Sequence, residues 1–417
     1  MLPDEEEALF DIHSGLYQKP GDIHPKLFKI THQTLNNAID KGFGVVKWGD
    51  PDWEFINELK NNNAVFSVFK NHHFQKDLVA LLHDKEGQAK PFNTFRKDSE
   101  KVIGQYNRTW LQTEHGTALK RARITRQFKE YERNKDLYAN LRWVPSTAAH
   151  PREGHKPFYG QVWAYSDTFW AHHMPGSLWG CQCGIEPTNE KPTNTPWETE
   201  TVKPDKGLEG NPAHTGKVFS DNHSYQVNTT RAEKKKLFKA AEALNKEGYH
   251  QMYKSAKGGR IYKHHLHGAD ELSDNMRTAK KLADKGDNVW LLPNIDPRTK
   301  VKDLKVLREK LMPFEFMKNK LKNPDAFILN RKLSVEFKTN RANKINAIKR
   351  EVKDAAKQAN TVVLDIRSGI SDHDLFRAIK GQGLNHSELE NIWVIKGRKV
   401  IRLPMEELKK LKALPSK

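Results

Sequence analysis

Pro324-Asp325-Ala326-Phe327-Ile328-Leu329-Asn330-Arg331-Lys332-Leu333-Ser334-Val335-Glu336-Phe337-Lys338 decides how the C-terminal half of this chain is read. Two short runs rich in aliphatic and aromatic residues flank a polar turn at Asn330-Arg331, the pattern of a β-hairpin. A two-residue or a four-residue loop gives the same register, with Asp325 opposite Glu336. Side chains alternate along a strand, so Lys338 shares the face of Glu336. Ala326, Ile328, Leu333, Val335 and Phe337 form the other, core-facing side. Opposed carboxylates repel. A raised pKa, a neighbouring lysine or a bound divalent cation would offset that repulsion. Asp plus Glu suits Mg²⁺ or Mn²⁺, hard ions that keep several waters, and Lys338 beside such an ion can act on a water or a phosphate. The plain alternative is a hairpin whose charges face water.

Elements around the hairpin follow a consistent order. A strand is expected at about 259–265, then a helix over 269–285 with Gly286 at its C-cap. The strand 288–292 is stopped by Pro293, and a basic insert spans 301–321. After the hairpin come a helix over 342–359, a buried strand over 361–366, a short helix and a strand at 391–395. Acid, acid and lysine on this framework resemble the PD-(D/E)xK nucleases. Glu271 on the first helix fits the further acidic ligand of many such cores, and Gln358 near the end of the later helix fits a polar residue facing the site. Both also suit ordinary helix surface.

The segment from about 258 to 403 is further similar to the C-terminal toxin nuclease domain of contact-dependent inhibition CdiA proteins. Glu271-Leu-x-x-Asn275, Leu291-Leu-Pro293, Pro324-Asp325, Glu336-Phe-Lys338-Thr339 and Lys357-Gln358-Ala359 carry that similarity. It implies a metal-dependent nuclease that cleaves RNA, tRNA above all, with Asp325, Glu336 and Lys338 central. A competing expectation is a metal-independent barnase/colicin/RelE-like RNase using His264, His265 or His373. It leaves the Asp–Glu–Lys pattern unexplained.

Charge separates the halves. The chain of 417 residues carries +19, and residues 251–417 hold 37 Lys+Arg against 20 Asp+Glu. A basic half joined to a nearly neutral one points to a polyanionic partner, DNA or tRNA. No run of eighteen apolar residues is present, so no membrane partner is expected. The acidic start, Met1-Leu-Pro-Asp-Glu-Glu-Glu, does not read as a secretory signal. Two cysteines make no disulfide framework, in keeping with a reducing cytoplasm.

The N-terminal half reads as a loose lead-in over 1–24, a domain over 25–186, and a Pro/Thr-rich arm with a connecting helix over 187–249. Helical periodicity runs from Pro25 to about Lys135. A long helix is expected from Phe95 to Tyr131, its basic later turns solvated or, less plainly, facing DNA or an acidic protein. Asp50-Pro51-Asp52-Trp53 has the form of a cap with proline at the first helical position. Short strands and loops pinned by aromatics follow.

Tyr106-Asn107, Trp110, Arg152-x-x-His155, Gly160, Asp167-x-Phe169-Trp170, Pro175 and Trp179-Gly-Cys181-x-Cys183 resemble the phage Mu F-like head morphogenesis (minor capsid) family over about 25–230. Pro175-Gly176 and Gln182 stand where that family often has Pro-Pro and Arg. The resemblance implies a virion protein, assembled in the bacterial cytoplasm, with portal and capsid proteins as partners. Cys181 and Cys183 with His155, and with His150, His172 or His173 as further candidates, form a ligand set for structural Zn²⁺. Buried cysteines beside surface histidines are the alternative. The expected fold class is multidomain α+β, with a mainly helical N-terminal domain, a small irregular β/loop subdomain and an α/β PD-(D/E)xK-like nuclease domain over 250–417. A purely structural head protein whose basic domain binds DNA without cutting it accounts for the charge but not for the acid–acid–lysine cluster.

Overall fold

A computed structural model describes residues 1–193, 197, 203–386 and 388–415; the arm's Pro196 lies outside the described residues. The chain divides into two compact units, 1–46 with 52–245, and 47–51 with 246–417. No helix among the described residues is long and apolar enough to cross a membrane.

The first unit is helical. Its main helices are α1 (Pro3–His13), α2 (Pro25–Phe43), α3 (Trp53–Val79), α4 (Phe92–Gly104), α5 (Leu111–Arg133) and α6 (Arg231–Leu244). In α2, Leu27, Phe28, Leu35, Ala38, Ile39 and Phe43 recur at helical spacing and are buried. The crossing of α2 with α5 is close: a Cβ on Gly42 would lie 2.5 Å from the Leu119 carbonyl oxygen.

Three sequence expectations need correction here. The lead-in is not loose, because Ala8, Leu9 and Ile12 give α1 an apolar stripe, and buried Glu5 accepts from Arg108 at 2.7 Å and 2.8 Å. The long helix is interrupted by a π-helical turn, Gln105–Trp110, which turns Tyr106 and Asn107 inward. Pro51 precedes α3 rather than opening it, and Asp52 is the N-cap. The basic later turns of α5 also hold one buried cation. Arg121 donates to the carbonyls of Gly176, Leu208 and Gly210 at 3.2, 2.8 and 3.1 Å.

A small antiparallel sheet follows α5, in the order β2 (Val162–Ala164), β1 (Asn140–Val144), β3 (Gly184–Thr188). Its core is aromatic, with the Trp163 and Phe169 rings stacked at 3.7 Å between Trp143, Phe158 and Trp170.

The second unit is a mixed eight-stranded sheet in the order β11-β10-β9-β8-β7-β6-β5-β4. The strands are β4 (Tyr249–Lys254), β5 (Arg260–His264), β6 (Asn288–Leu291), β7 (Ala326–Ile328), β8 (Leu333–Asn340), β9 (Thr361–Ile366), β10 (Asn391–Lys396) and β11 (Lys399–Pro404). Pairs β5–β6, β8–β9 and β9–β10 are parallel. Helix α7 (Leu272–Ala283) packs Ala279, Leu282 and Ala283 onto one face, against Val289, Leu291, Ile328 and Val335. The basic insert contains α8 (Lys302–Leu311). Helices α9 (Ile345–Ala356), α10 (Asp372–Asn385) and α11 (Met405–Lys410) bury Ile348, Val352, Leu375 and Leu408 with Val362, Leu364 and Val394. Elsewhere Trp48 sits edge-on to Tyr249, Trp290 and Phe327, with ring centroids 5.8, 5.6 and 5.1 Å away.

The hairpin pairs Ala326 with Val335, Phe327 with Ser334 and Ile328 with Leu333. Its loop has four residues, with Leu329–Arg331 in a 3₁₀ turn and Lys332 left-handed at φ 57°. Asn330 anchors that loop, accepting from the Asn288 N–H at 3.0 Å and donating to the Gly286 carbonyl at 3.0 Å.

Candidate active site

Continuing the β7–β8 register by one residue sets Asp325 opposite Glu336. Asp325 is partly exposed, whereas Glu336 is 3% exposed. Asp325 Oδ2 accepts from the Phe337 N–H at 2.8 Å, and Oδ1 accepts from Asn275 Nδ2 at 3.1 Å. Glu336 Oε1 accepts from Lys338 Nζ at 2.7 Å and from Gln358 Nε2 at 3.0 Å. Glu336 Oε2 is buried and has no hydrogen-bond partner among the described residues.

Burial dominates the electrostatics. It pushes the Asp325 carboxyl up to about 6, and Glu271 adds to the rise. Glu336 rises to about 8, first from burial and then from the Asp325 charge. Burial opposes the Lys338 charge, but the surrounding carboxylates, Glu336 first, together raise the ammonium's pKa. Two carboxyls this close titrate as a pair.

Asp325, Glu336, Glu271 and Gln358 line one cleft of about 630 Å³, together with Arg298 and Lys322 from the stretch around α8. Lys338 does not line it and joins the site through Glu336. The five residues singled out in the sequence thus meet, three from the hairpin and one from the end of each of two helices. Glu271 is the residue before α7 and Gln358 the second after α9. Asn275 and His267 were given no role by sequence reasoning. Asn275 was findable, because it stands one helical turn beyond Glu271. His267 had no signal, being one of several histidines in a loop.

The histidines of the metal-independent alternative lie elsewhere. His264 is buried, hydrogen-bonded from Nε2 to the Lys246 carbonyl at 2.9 Å, and pushed down to about 3 by burial. The His265 ring lies tilted beside it, with centroids 4.4 Å apart. His373 is exposed, 3.5 Å from Asp374. None of the three lines the cleft.

The first unit holds a separate group that can bind a metal ion. His155, Cys181 and Cys183 are buried, and their ligand atoms lie within 4.8 Å of one another. His155 Nδ1 is 3.2 Å from Cys181 Sγ and 3.7 Å from Cys183 Sγ. His155 Nε2 is 3.0 Å from Ser177 Oγ. With a metal bound, a proton on Nε2 donated to Ser177 would leave Nδ1 free for the ion. The thiol of Cys183, donating to Cys181, holds the Cys181 pKa down to about 4. The other candidate histidines are not in the group: His150 is exposed, and His172 and His173 pack on Trp197.

Compared with family models, with curated proteins and with solved structures, the chain matches none.

Proposed function

We propose that the second unit is a metal-dependent nuclease acting on RNA or DNA, carried on a phage minor head protein. The observation behind this reading is the unpartnered Glu336 Oε2. A buried carboxylate oxygen without a donor is costly, and its residue lines the cleft together with Asp325. A divalent ion would satisfy it. Asp325 and Glu336 are the ligands we assign to Mg²⁺ or Mn²⁺, with Glu271 available as a third carboxylate. Such an ion would supply positive charge where a phosphate reacts. Lys338 counters the burial that raises the Glu336 carboxyl, and would offer an ammonium to an attacking water or a phosphate oxygen. Arg298 and Lys322, in a half that carries +17, would hold the polymer backbone, so binding should weaken steeply with salt.

The head-protein role rests on the Mu F-like residues of 25–230, with portal and capsid proteins as partners in the virion. For the group at His155, Cys181 and Cys183 we propose zinc, because two thiolates and an imidazole are a ligand set that zinc favours.

The test is incubation of the full chain with tRNA and with duplex DNA, in Mg²⁺ and in EDTA. Cleavage that requires the ion and disappears in Glu336→Gln is the expected result. Cleavage that persists in EDTA would transfer the reading to a metal-independent RNase. Binding without cleavage under any divalent ion would leave a structural, nucleic-acid-binding head protein.

A further inference from the structure

We propose that Asn275 and His267 are positioning residues that hold Asp325 in the orientation needed to bind the ion; this rests on the metal-site reading above. Four residues close a hydrogen-bond circuit. The Leu292 N–H donates to the Asp325 carbonyl at 2.9 Å. The Leu292 carbonyl accepts from His267 Nδ1 at 2.7 Å. His267 Nε2 lies 3.1 Å from Asn275 Nδ2, which is also 3.1 Å from Asp325 Oδ1.

The direction of each bond follows from the chemistry. A carbonyl only accepts, so His267 carries its proton on Nδ1 and presents a bare Nε2. Asn275 then faces two acceptors, and only its NH₂ end, with two hydrogens, satisfies both. The reversed amide would set its oxygen against a carboxylate and an imidazole lone pair. His267 and Asn275 are 8% and 4% exposed, so water does not readily substitute for either. Burial also lowers the His267 pKa, favouring the neutral ring that this circuit needs.

Asp325 is therefore gripped twice, by its backbone through Leu292 and by Oδ1 through Asn275, while Oδ2 takes the Phe337 N–H. The carboxylate has little freedom to turn away from Glu336. Partners of this kind around metal ligands typically carry about 10–100-fold in affinity.

The experiment is Mn²⁺ titration of the full chain, with melting temperature recorded for every variant. Asn275→Ala should weaken Mn²⁺ binding about 10–100-fold. Asn275→Leu, which fills the space without donating, should lose as much and guards against a loss caused by a cavity. His267→Ala should weaken binding in the same sense. The double variant should be no worse than Asn275→Ala alone, because both act through one chain. Wild-type affinity in Asn275→Leu, or losses that multiply in the double variant, would overturn the positioning role while leaving the metal site intact. A wild-type chain that binds neither Mn²⁺ nor Mg²⁺ would overturn the metal site and the circuit together.

Discussion

Gln358 Nε2 donates to Glu336 Oε1 at 3.0 Å, on the oxygen that also accepts from Lys338. Both neutralising contacts of this buried carboxylate thus fall on one atom. The other oxygen, buried, has no donor among the described residues. This arrangement sets the response of the group to pH.

The pH dependence of stability has a definite sign. Glu336 titrates higher in the folded chain than the usual glutamate, at about 8. A carboxyl raised in this way favours folding in its protonated form. That contribution is complete below the unfolded value and is lost as pH rises through about 8. The metal-free chain should melt higher at pH 5 than at pH 8.5, and Glu336→Gln should flatten the difference. Added Mg²⁺ should raise the melting temperature more at pH 8.5 than at pH 5, because protons compete for the ligands. Calorimetry across that range provides the check.

Lys338→Met should separate chemistry from binding. Without the ammonium, Glu336 binds its proton more tightly, so the pH midpoint for Mn²⁺ binding should rise. At saturating Mn²⁺, cleavage should still fall by about 10²–10⁴-fold. Recovered turnover at full metal occupancy would remove Lys338 from the chemistry.

Purified protein should carry one zinc per chain. Cys181→Ala or Cys183→Ala should remove the zinc and lower the melting temperature of the first unit. Elemental analysis and thermal unfolding read both effects. Zinc-free protein with unchanged melting in both variants would end the assignment.

Arg121→Ala should destabilise the first unit by about 3 kcal/mol or more, since three carbonyls lose a buried charged donor at about 1–3 kcal/mol each. Arg121→Lys should not restore it, because an ammonium's three N–H groups radiate from one nitrogen, whereas the guanidinium reaches the three carbonyls from two nitrogens. Urea unfolding gives the comparison.

Trp48→Ala should cost the second unit about 3–5 kcal/mol, as a buried ring is withdrawn from Tyr249, Trp290 and Phe327. Unfolding followed by the fluorescence of the remaining tryptophans would show the shift.

The parts of this protein legible in its sequence are those set by local periodicity. The run of Thr361–Ile366, buried on both faces, forms β9 with those limits. The insert reads as basic, and α8 lies within it. Strand β4 was missed because its middle is exposed and polar, so nothing alternates clearly. Helix α1 was missed because three acidic residues conceal its short apolar stripe. Arg121 read as surface charge, since only the distant carbonyls of 176–210 turn that part of α5 inward.

The sequence by itself determined that Asp325 and Glu336 stand opposite one another with Lys338 alongside. Period-two alternation puts Glu336 and Lys338 on one face, and the polar turn centred at Asn330-Arg331 sets Asp325 opposite Glu336. Tertiary structure alone decided that Glu271, Asn275, His267 and Gln358 converge on that pair. A helix can turn any of its faces toward a sheet, and packing of α7 and α9 on opposite faces selects which polar residues at their ends meet the hairpin. It also decided which oxygen of Glu336 is satisfied and which is bare, a matter of reach from Gln358, 22 positions away, that no local pattern encodes.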